Sequence, residues 1–289
     1  MFKRIKKRTN HNQQLMQQLN IPIKKSKKQI ESYLKHGKYF GNILKEIYDT
    51  LIIDNILKTS RDIELYFKEL SEKYDPMVDY PFRDQINQEG KRFKAPICIS
   101  INDSVAHSRP KSTIKLKQND IISVDCGLRI DNLMYDSAFT VAYNTQQPNW
   151  IKAPQKALNK ISNDFNDIRG TDTKNISQII EYTANISNLD IVTALAGHGI
   201  GVNLHEAPKI HNALGEYVAT ELFNGMVFCV EPIYVYTERR EIKQANIFIE
   251  EDGWTVKTTN QQPSTHWETM YCVQENKLID LTNISQWDI

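Results

Sequence analysis

From Ile121 to Tyr143 the chain reads Ile-Ile-Ser-Val-Asp-Cys-Gly-Leu-Arg-Ile-Asp-Asn-Leu-Met-Tyr-Asp-Ser-Ala-Phe-Thr-Val-Ala-Tyr. Two apolar runs flank the polar residues Arg129–Asn132, the pattern of a β-hairpin. With the turn centred on Ile130 and Asp131, Asp125 and Asp136 are equidistant from it and directly opposed, where Cβ atoms lie about 4.5–5.5 Å apart. Two carboxylates this close, among apolar neighbours, repel each other and resist desolvation. They either share a proton or hold a cation. A plainer arrangement puts one aspartate in the turn and the other at a strand end, and the hairpin alone does not separate the two.

The chain has 289 residues, 40% hydrophobic and 25% charged, enough for one large domain or two modest ones. A net charge of +1 gives no global field favouring nucleic acid or a membrane surface. Cys98, Cys126, Cys229 and Cys272 sit in apolar runs without Cys-x-x-Cys spacing, as expected of reduced core cysteines. No apolar run approaches the ~18 residues of a membrane span, and the N-terminus lacks the apolar middle of a secretory signal. A cytoplasmic setting without membrane association is the expectation.

Residues 1–25 read as a basic, mobile arm, with Lys3, Arg4, Lys6, Lys7, Arg8, Lys24 and Lys25 and no acidic residue before Glu31. Such an arm is usually inert; its charge also suits a contact with RNA or the ribosome, or a targeting peptide. The folded domain is expected over 26–289. Ser26-Lys27-Lys28-Gln29 has the form of a capping box, and Ile30, Leu34, Leu44, Ile47 and Tyr48 then mark one face of a long helix. Gly37 and Gly41, one turn apart, open that helix to another backbone. A second helix is predicted from Thr59–Ser60 through Ile63, Phe67 and Leu70. A loop over 75–96 leads to a strand at Ile97–Ile101 and then to His107. Beyond the hairpin, helices are predicted over Ala153–Ile168, with Gly170 as its C-cap, and over Ile176–Ile186. Two helices followed by strands, twice over, make a helix-helix-strand unit used twice.

Gly197-His198-Gly199-Ile200-Gly201 packs glycines around one imidazole, which suits a histidine facing a crowded cavity. A flexible loop or a phosphate cradle is the alternative, but no helix pattern or Lys-Ser/Thr follows. His205-Glu206-Ala207-Pro208 comes seven residues later. Met226–Pro232 is an apolar strand ending in Glu231, where Pro232 stops the ladder. Glu268 lies inside the apolar run Thr265–Val273, an expensive place for a carboxylate unless it is paired or bound to metal. Each of these alone has a structural explanation. Together, Asp125, Asp136, His198, Glu231 and Glu268 have the chemistry of a dinuclear divalent site, with mostly hard oxygen ligands able to bridge ions roughly 3.5–4 Å apart. Such a pair lowers the pKa of a bridging water from about 15.7 toward about 7, making hydroxide at neutral pH.

In this combination the chain resembles the type I methionine aminopeptidases, pita-bread metallohydrolases of peptidase family M24, over about Ser26–Val273. The resemblance is carried by Cys98-Ile-Ser-Ile-Asn with His107, the Asp125/Asp136 pair eleven apart, Gly-His-Gly-Ile-Gly with His-Glu-x-Pro, Glu231-Pro232, Asp252-Gly-Trp-Thr-Val-Lys-Thr and Glu268. It implies an α+β fold of two pseudo-symmetric halves around a curved antiparallel sheet. The implied activity is removal of the initiator methionine from nascent polypeptides with a small second residue; a monomer is the default expectation. The implied ligands of two divalent ions (Co, Mn, Fe or Zn) are Asp125, Asp136, His198, Glu231 and Glu268. His107 would sit at the scissile amide, His205 would stabilise the carbonyl oxygen, and Glu231 would double as proton shuttle. Cys98 and Trp254 match positions lining the methionine pocket.

The chain departs from the family pattern at Ala106 and Ser108 around His107, at Leu204, at Thr269 and in a longer 84–96 segment. These changes surround the pocket and spare the ligands. Two alternatives stand beside the expectation. One is an X-Pro aminopeptidase on the same fold. The other is a catalytically weakened binding module for peptide or RNA.

Overall fold

The computed structural model describes residues 21–53, 56–239 and 243–288; most of the expected basic arm lies outside them. Helix α1 spans Lys27–Ile53. Its first turn closes as a capping box, Ser26 N–H donating to Gln29 Oε1 at 2.9 Å and Gln29 N–H to Ser26 Oγ at 3.3 Å. Ile30, Leu44, Ile47 and Tyr48 are buried as the spacing requires, while Leu34 is half-buried. A Cβ on Gly37 would stand 2.8 Å from the Leu281 carbonyl oxygen, and one on Gly41 2.0 Å from that of Thr282. The backbone that approaches α1 is therefore the C-terminal segment. Helix α2, Ser60–Tyr74, opens on a Thr59/Asp62 capping box.

The first sheet has the order β1 (Ile97–Ile101), β3 (Ile121–Ile130), β4 (Leu133–Ala142), with α1 packed on β4. Strand β2, Ser104–Ala106, joins a small sheet with β10 (Ile247–Ile249) and β11 (Val256–Thr258). Then the pattern recurs. Helix α3, Ala153–Asp164, and helix α4, Thr173–Ile186, precede β5 (Leu189–Ile191), β6 (Ala196–Gly199), β7 (Glu206–His211), β8 (Val227–Val230) and β9 (Ile233–Tyr236). With β12 (Ser264–His266), β13 (Thr269–Gln274) and β14 (Lys277–Asp280) these form a β12-β9-β5 sheet and a β14-β13-β8-β6-β7 sheet. All the described pairings between these strands are antiparallel, and a bridge between Ala138 and Glu268 ties β4 to the second half.

Two local expectations are corrected. Helix α3 stops at Asp164 with Phe165 as its cap, so Gly170 serves a later turn at φ +73° rather than a C-cap. In the hairpin, Ile130 pairs with Leu133, which puts the turn at Asp131–Asn132, one residue beyond the expected centre. Both turn residues have φ near +55–60° (53° and 61°), as a two-residue type I′ turn demands. Asp and Asn tolerate that conformation, whereas β-branched Ile130 does not. Asp125 consequently faces Ala138, and Asp136 faces Gly127. The two aspartates are diagonal neighbours on one face, not directly opposed.

Candidate active site

One cavity of about 140 Å³ is lined by every expected site residue, Cys98, His107, Asp125, Asp136, His198, His205, Glu231, Trp254 and Glu268; of the four departures from the family pattern, Ala106 and Leu204 line it, whereas Ser108 and Thr269 do not. Phe82, Gln85, Phe93, Ala106, Leu204 and His266 complete its wall. The two aspartates come from the face of the β3–β4 hairpin, His198 from β6, Glu231 from the end of β8 and Glu268 from the junction of β12 and β13. Segments far apart in sequence thus converge because two sheets meet at the Ala138–Glu268 bridge.

Asp125, Asp136 and Glu268 each offer a carboxylate oxygen, all within 4.8 Å of one another. His198 Nε2 lies 3.9 Å from Asp136 Oδ2 and 3.8 Å from Glu231 Oε1. Asp125 Oδ1, Asp136 Oδ1 and Glu268 Oε1 are buried without hydrogen-bond partners, which for a carboxylate is costly. Burial raises the Asp125 carboxyl to about 7 and, with help from Asp125, that of Glu231 to about 8. Burial and neighbouring carboxylates push Asp136 and Glu268 well above the usual range. Burial, and then His205, lowers His198 to about 3, so its ring is neutral at physiological pH. Its Nδ1 lies 3.0 Å from the Gly199 carbonyl, which leaves Nε2 to face the carboxylates. Crowded carboxylates with unpaired oxygens and a neutral imidazole form a donor set that divalent cations fit. A second group with ligand atoms within 4.8 Å, His198, Cys229 and Glu268, brings in a thiol that sequence reading treated only as core.

His205 stands edge-on to His198 with ring centroids 4.3 Å apart. His107 holds a left-handed backbone at φ +57°, rare for a side chain of its size, and burial lowers its ring to about 4. Trp254 lies 6.5 Å from the His107 ring and 5.2 Å from Phe93. Its turn is held by Asp252, which accepts from Trp254 N–H at 2.8 Å, and by Asn87, whose amide donates to Gly253 O at 2.6 Å. The long 84–96 segment therefore leans on the Trp254 turn and adds Gln85 and Phe93 to the wall.

Two further features escaped the sequence reading. Lys25, assigned there to the arm, is buried, with its ammonium 2.5 Å from Glu206 Oε2 and both side chains 3% exposed. Glu206 Oε1 also accepts from Asn203 N–H at 3.1 Å, and Lys25 N–H donates to Gly225 O at 2.8 Å. The base of the arm thereby pins the loop that ends in His205. The pair joins residues 181 apart, and nothing local marks it. The other is His266, whose only signal was a histidine two residues before Glu268 in an apolar strand.

The model of metallopeptidase family M24 matches residues 34–275. The methionine aminopeptidase of Helicobacter pylori (strain ATCC 700392 / 26695) is 31% identical over 195 residues, covering 66% of this chain and 74% of its own. The chain belongs to the methionine aminopeptidases of family M24. The Aquifex aeolicus methionine aminopeptidase is 26% identical over 269 residues, 90% of this chain and 98% of its own. Among solved structures, the methionine aminopeptidase of Thermotoga maritima superposes with TM-score 0.77 at 25% identity, covering 91% of this chain and 99% of its own. A prolidase from Pyrococcus furiosus shares the fold at TM-score 0.63 and 17% identity, with 93% of this chain matched to 67% of that one. The fold is thus the pita-bread fold of this family, and the family binds divalent metal.

Proposed function

We propose that this chain removes the N-terminal methionine from polypeptides by hydrolysis at two divalent ions held by Asp125, Asp136, His198, Glu231 and Glu268. The observation that carries the reading is the buried cluster of carboxylates with three unpaired oxygens beside a neutral His198. When bound, such ions supply Lewis acidity and lower the pKa of water toward neutrality. The protein's own groups do the rest. Glu231, at the rim of the ion site, would take up the nucleophile's proton and pass it to the departing amine. His205 donates a hydrogen bond to the carbonyl oxygen as negative charge grows there. Neutral His107 faces the scissile amide. The methionine side chain lies among Phe82, Phe93, Cys98, Leu204 and Trp254, where a polarisable thioether gains from sulfur and aromatic neighbours.

Mn, Fe, Co and Zn all suit this donor set. The substrates are nascent chains with a small second residue, acted on by a monomer, with residues 3–8 as a basic contact for the ribosome. No helix among the described residues is long and apolar enough to cross a membrane, and the cytoplasm, where nascent chains emerge, is the proposed location. The test is hydrolysis of Met-Ala-Ser by metal-stripped protein, with Mn or Co added back, beside Asp125→Ala and an Ala-Pro substrate. Restored cleavage of Met-Ala-Ser in the parent protein alone is expected. A reconstituted protein as inert as the variant would overturn the proposal, and preference for Ala-Pro would replace it with X-Pro cleavage.

A further inference from the structure

Two imidazoles flank the Glu231 carboxylate, one for each oxygen. His198 Nε2 lies 3.8 Å from Oε1, and His266 Nε2 lies 4.0 Å from Oε2. The first is accounted for by the metal reading; the second is not. His266 is 3% exposed and lines the cavity, and its Nε2 has no hydrogen-bond partner. Leaving a buried donor or acceptor unpaired is costly, so an ordinary core histidine would have found a partner.

The ring is aimed by a rigid frame. His266 N–H donates to Thr140 Oγ1 at 2.8 Å, and the Thr140 hydroxyl donates to the His266 carbonyl, also at 2.8 Å. Its strand pairs with β9, so that His266 stands opposite Ile233, two residues beyond Glu231. A 4.0 Å gap is too long for a direct hydrogen bond; one shared water or a small ring rotation closes it.

We propose that His266 is a positioning residue for Glu231: it holds Oε2, and thereby keeps Oε1 turned toward His198 and the ion site. The proposal rests on the metal reading above and adds a group to it. Glu231 sits at the end of a strand stopped by Pro232, where its backbone alone does not fix its carboxylate rotamer. With Oε1 serving the ion site, an orienting contact to Oε2 is what keeps the second oxygen from swinging away, as outer-shell partners of metal-site carboxylates do.

The experiment is calorimetric Mn(II) titration together with Met-Ala-Ser kinetics on the parent protein, His266→Leu and His266→Gln. His266→Leu fills the space without a polar atom, and loss of an orienting partner should weaken Mn(II) binding by ~10–100-fold. Its kcat should fall more than KM rises. His266→Gln carries an amide that reaches the same oxygen, and should recover most of both losses. A His266→Leu protein that binds Mn(II) and turns over like the parent overturns the proposal, as does a His266→Gln protein as impaired as His266→Leu. If His266→Leu does not fold, His266→Asn replaces it: its shorter amide cannot reach Oε2, so equal performance of the Asn and Gln variants is the refuting result. A parent protein that neither binds Mn(II) nor cleaves methionyl peptides would instead bring down the metal reading itself.

Discussion

Replacing Asp125 with asparagine should make the metal-free protein more stable while making the metal-loaded protein less so. In the folded chain the Asp125 carboxyl sits at about 7 against an ordinary 3.8. A carboxyl whose folded pKa is raised contributes stability only while protonated, and that contribution drains away as pH climbs from the unfolded value through the folded one. Integrating over the shift, the penalty of keeping Asp125 is about 2 kcal/mol at pH 5 and about 4 kcal/mol at pH 7.5. Asparagine has the same shape and does not titrate, so it escapes both. The buried histidines, lowered instead of raised, act in the opposite sense below their unfolded pKa, but they are common to both proteins and cancel in the comparison. At about 2–4 °C per kcal/mol for a chain somewhat under this size, the metal-free variant should melt roughly 8–16 °C above the metal-free parent at pH 7.5, and about half as far above it at pH 5. Saturating Mn should reverse the order, since two ions, each at 100 times its dissociation constant, stabilise the parent by about 2.7 kcal/mol apiece, together more than the penalty at Asp125. The assay is thermal unfolding after chelation and after reloading, at both pH values. A metal-free variant no more stable than the parent, or an advantage that does not grow with pH, would refute the argument that these carboxylates await a cation.

Lys25→Met strands Glu206 as an uncompensated buried charge and should cost about 3–5 kcal/mol in a urea melt, much of it recovered in Lys25→Met/Glu206→Leu; an unaffected single variant would mean the pair is solvated. Gly41→Ala places a methyl against the Thr282 carbonyl; overpacking of about 1–3 kcal/mol should outweigh the helix gain of about 0.5–1 kcal/mol, lowering Tm. His205→Ala should lower kcat on Met-Ala-Ser by about 10²–10³-fold with Mn(II) affinity intact, and a loss confined to metal binding would reassign the residue.

The hairpin, the helix pairs and the carboxylates at strand ends were legible because each is written in local alternation or spacing. The turn was misplaced by one residue because the hydrophobic pattern is compatible with either centre, and only the left-handed tolerance of Asp131 and Asn132 decides between them. That single step changed the aspartates from opposed to diagonal neighbours without moving either off the cavity face. Lys25–Glu206 was unreadable, since a lysine in a basic run carries no mark of burial. His266 was passed over because the neighbouring Glu268 already explained the strand. Its unpaired nitrogen emerges only once Glu231 is folded up against it.

The contact between α1 and the chain's far end has a bearing on how the molecule is made. Gly37 and Gly41 receive the backbone at Leu281–Thr282, and Trp287 lies against Tyr48, Phe139 and Trp267. Gln155 fastens the same tail by donating to the carbonyls of Ser285 and Trp287. The first described helix thus has its seat completed by residues more than 200 positions further along the chain. Helix α1 therefore cannot complete its packing until the segment Leu281–Trp287 has also left the ribosome.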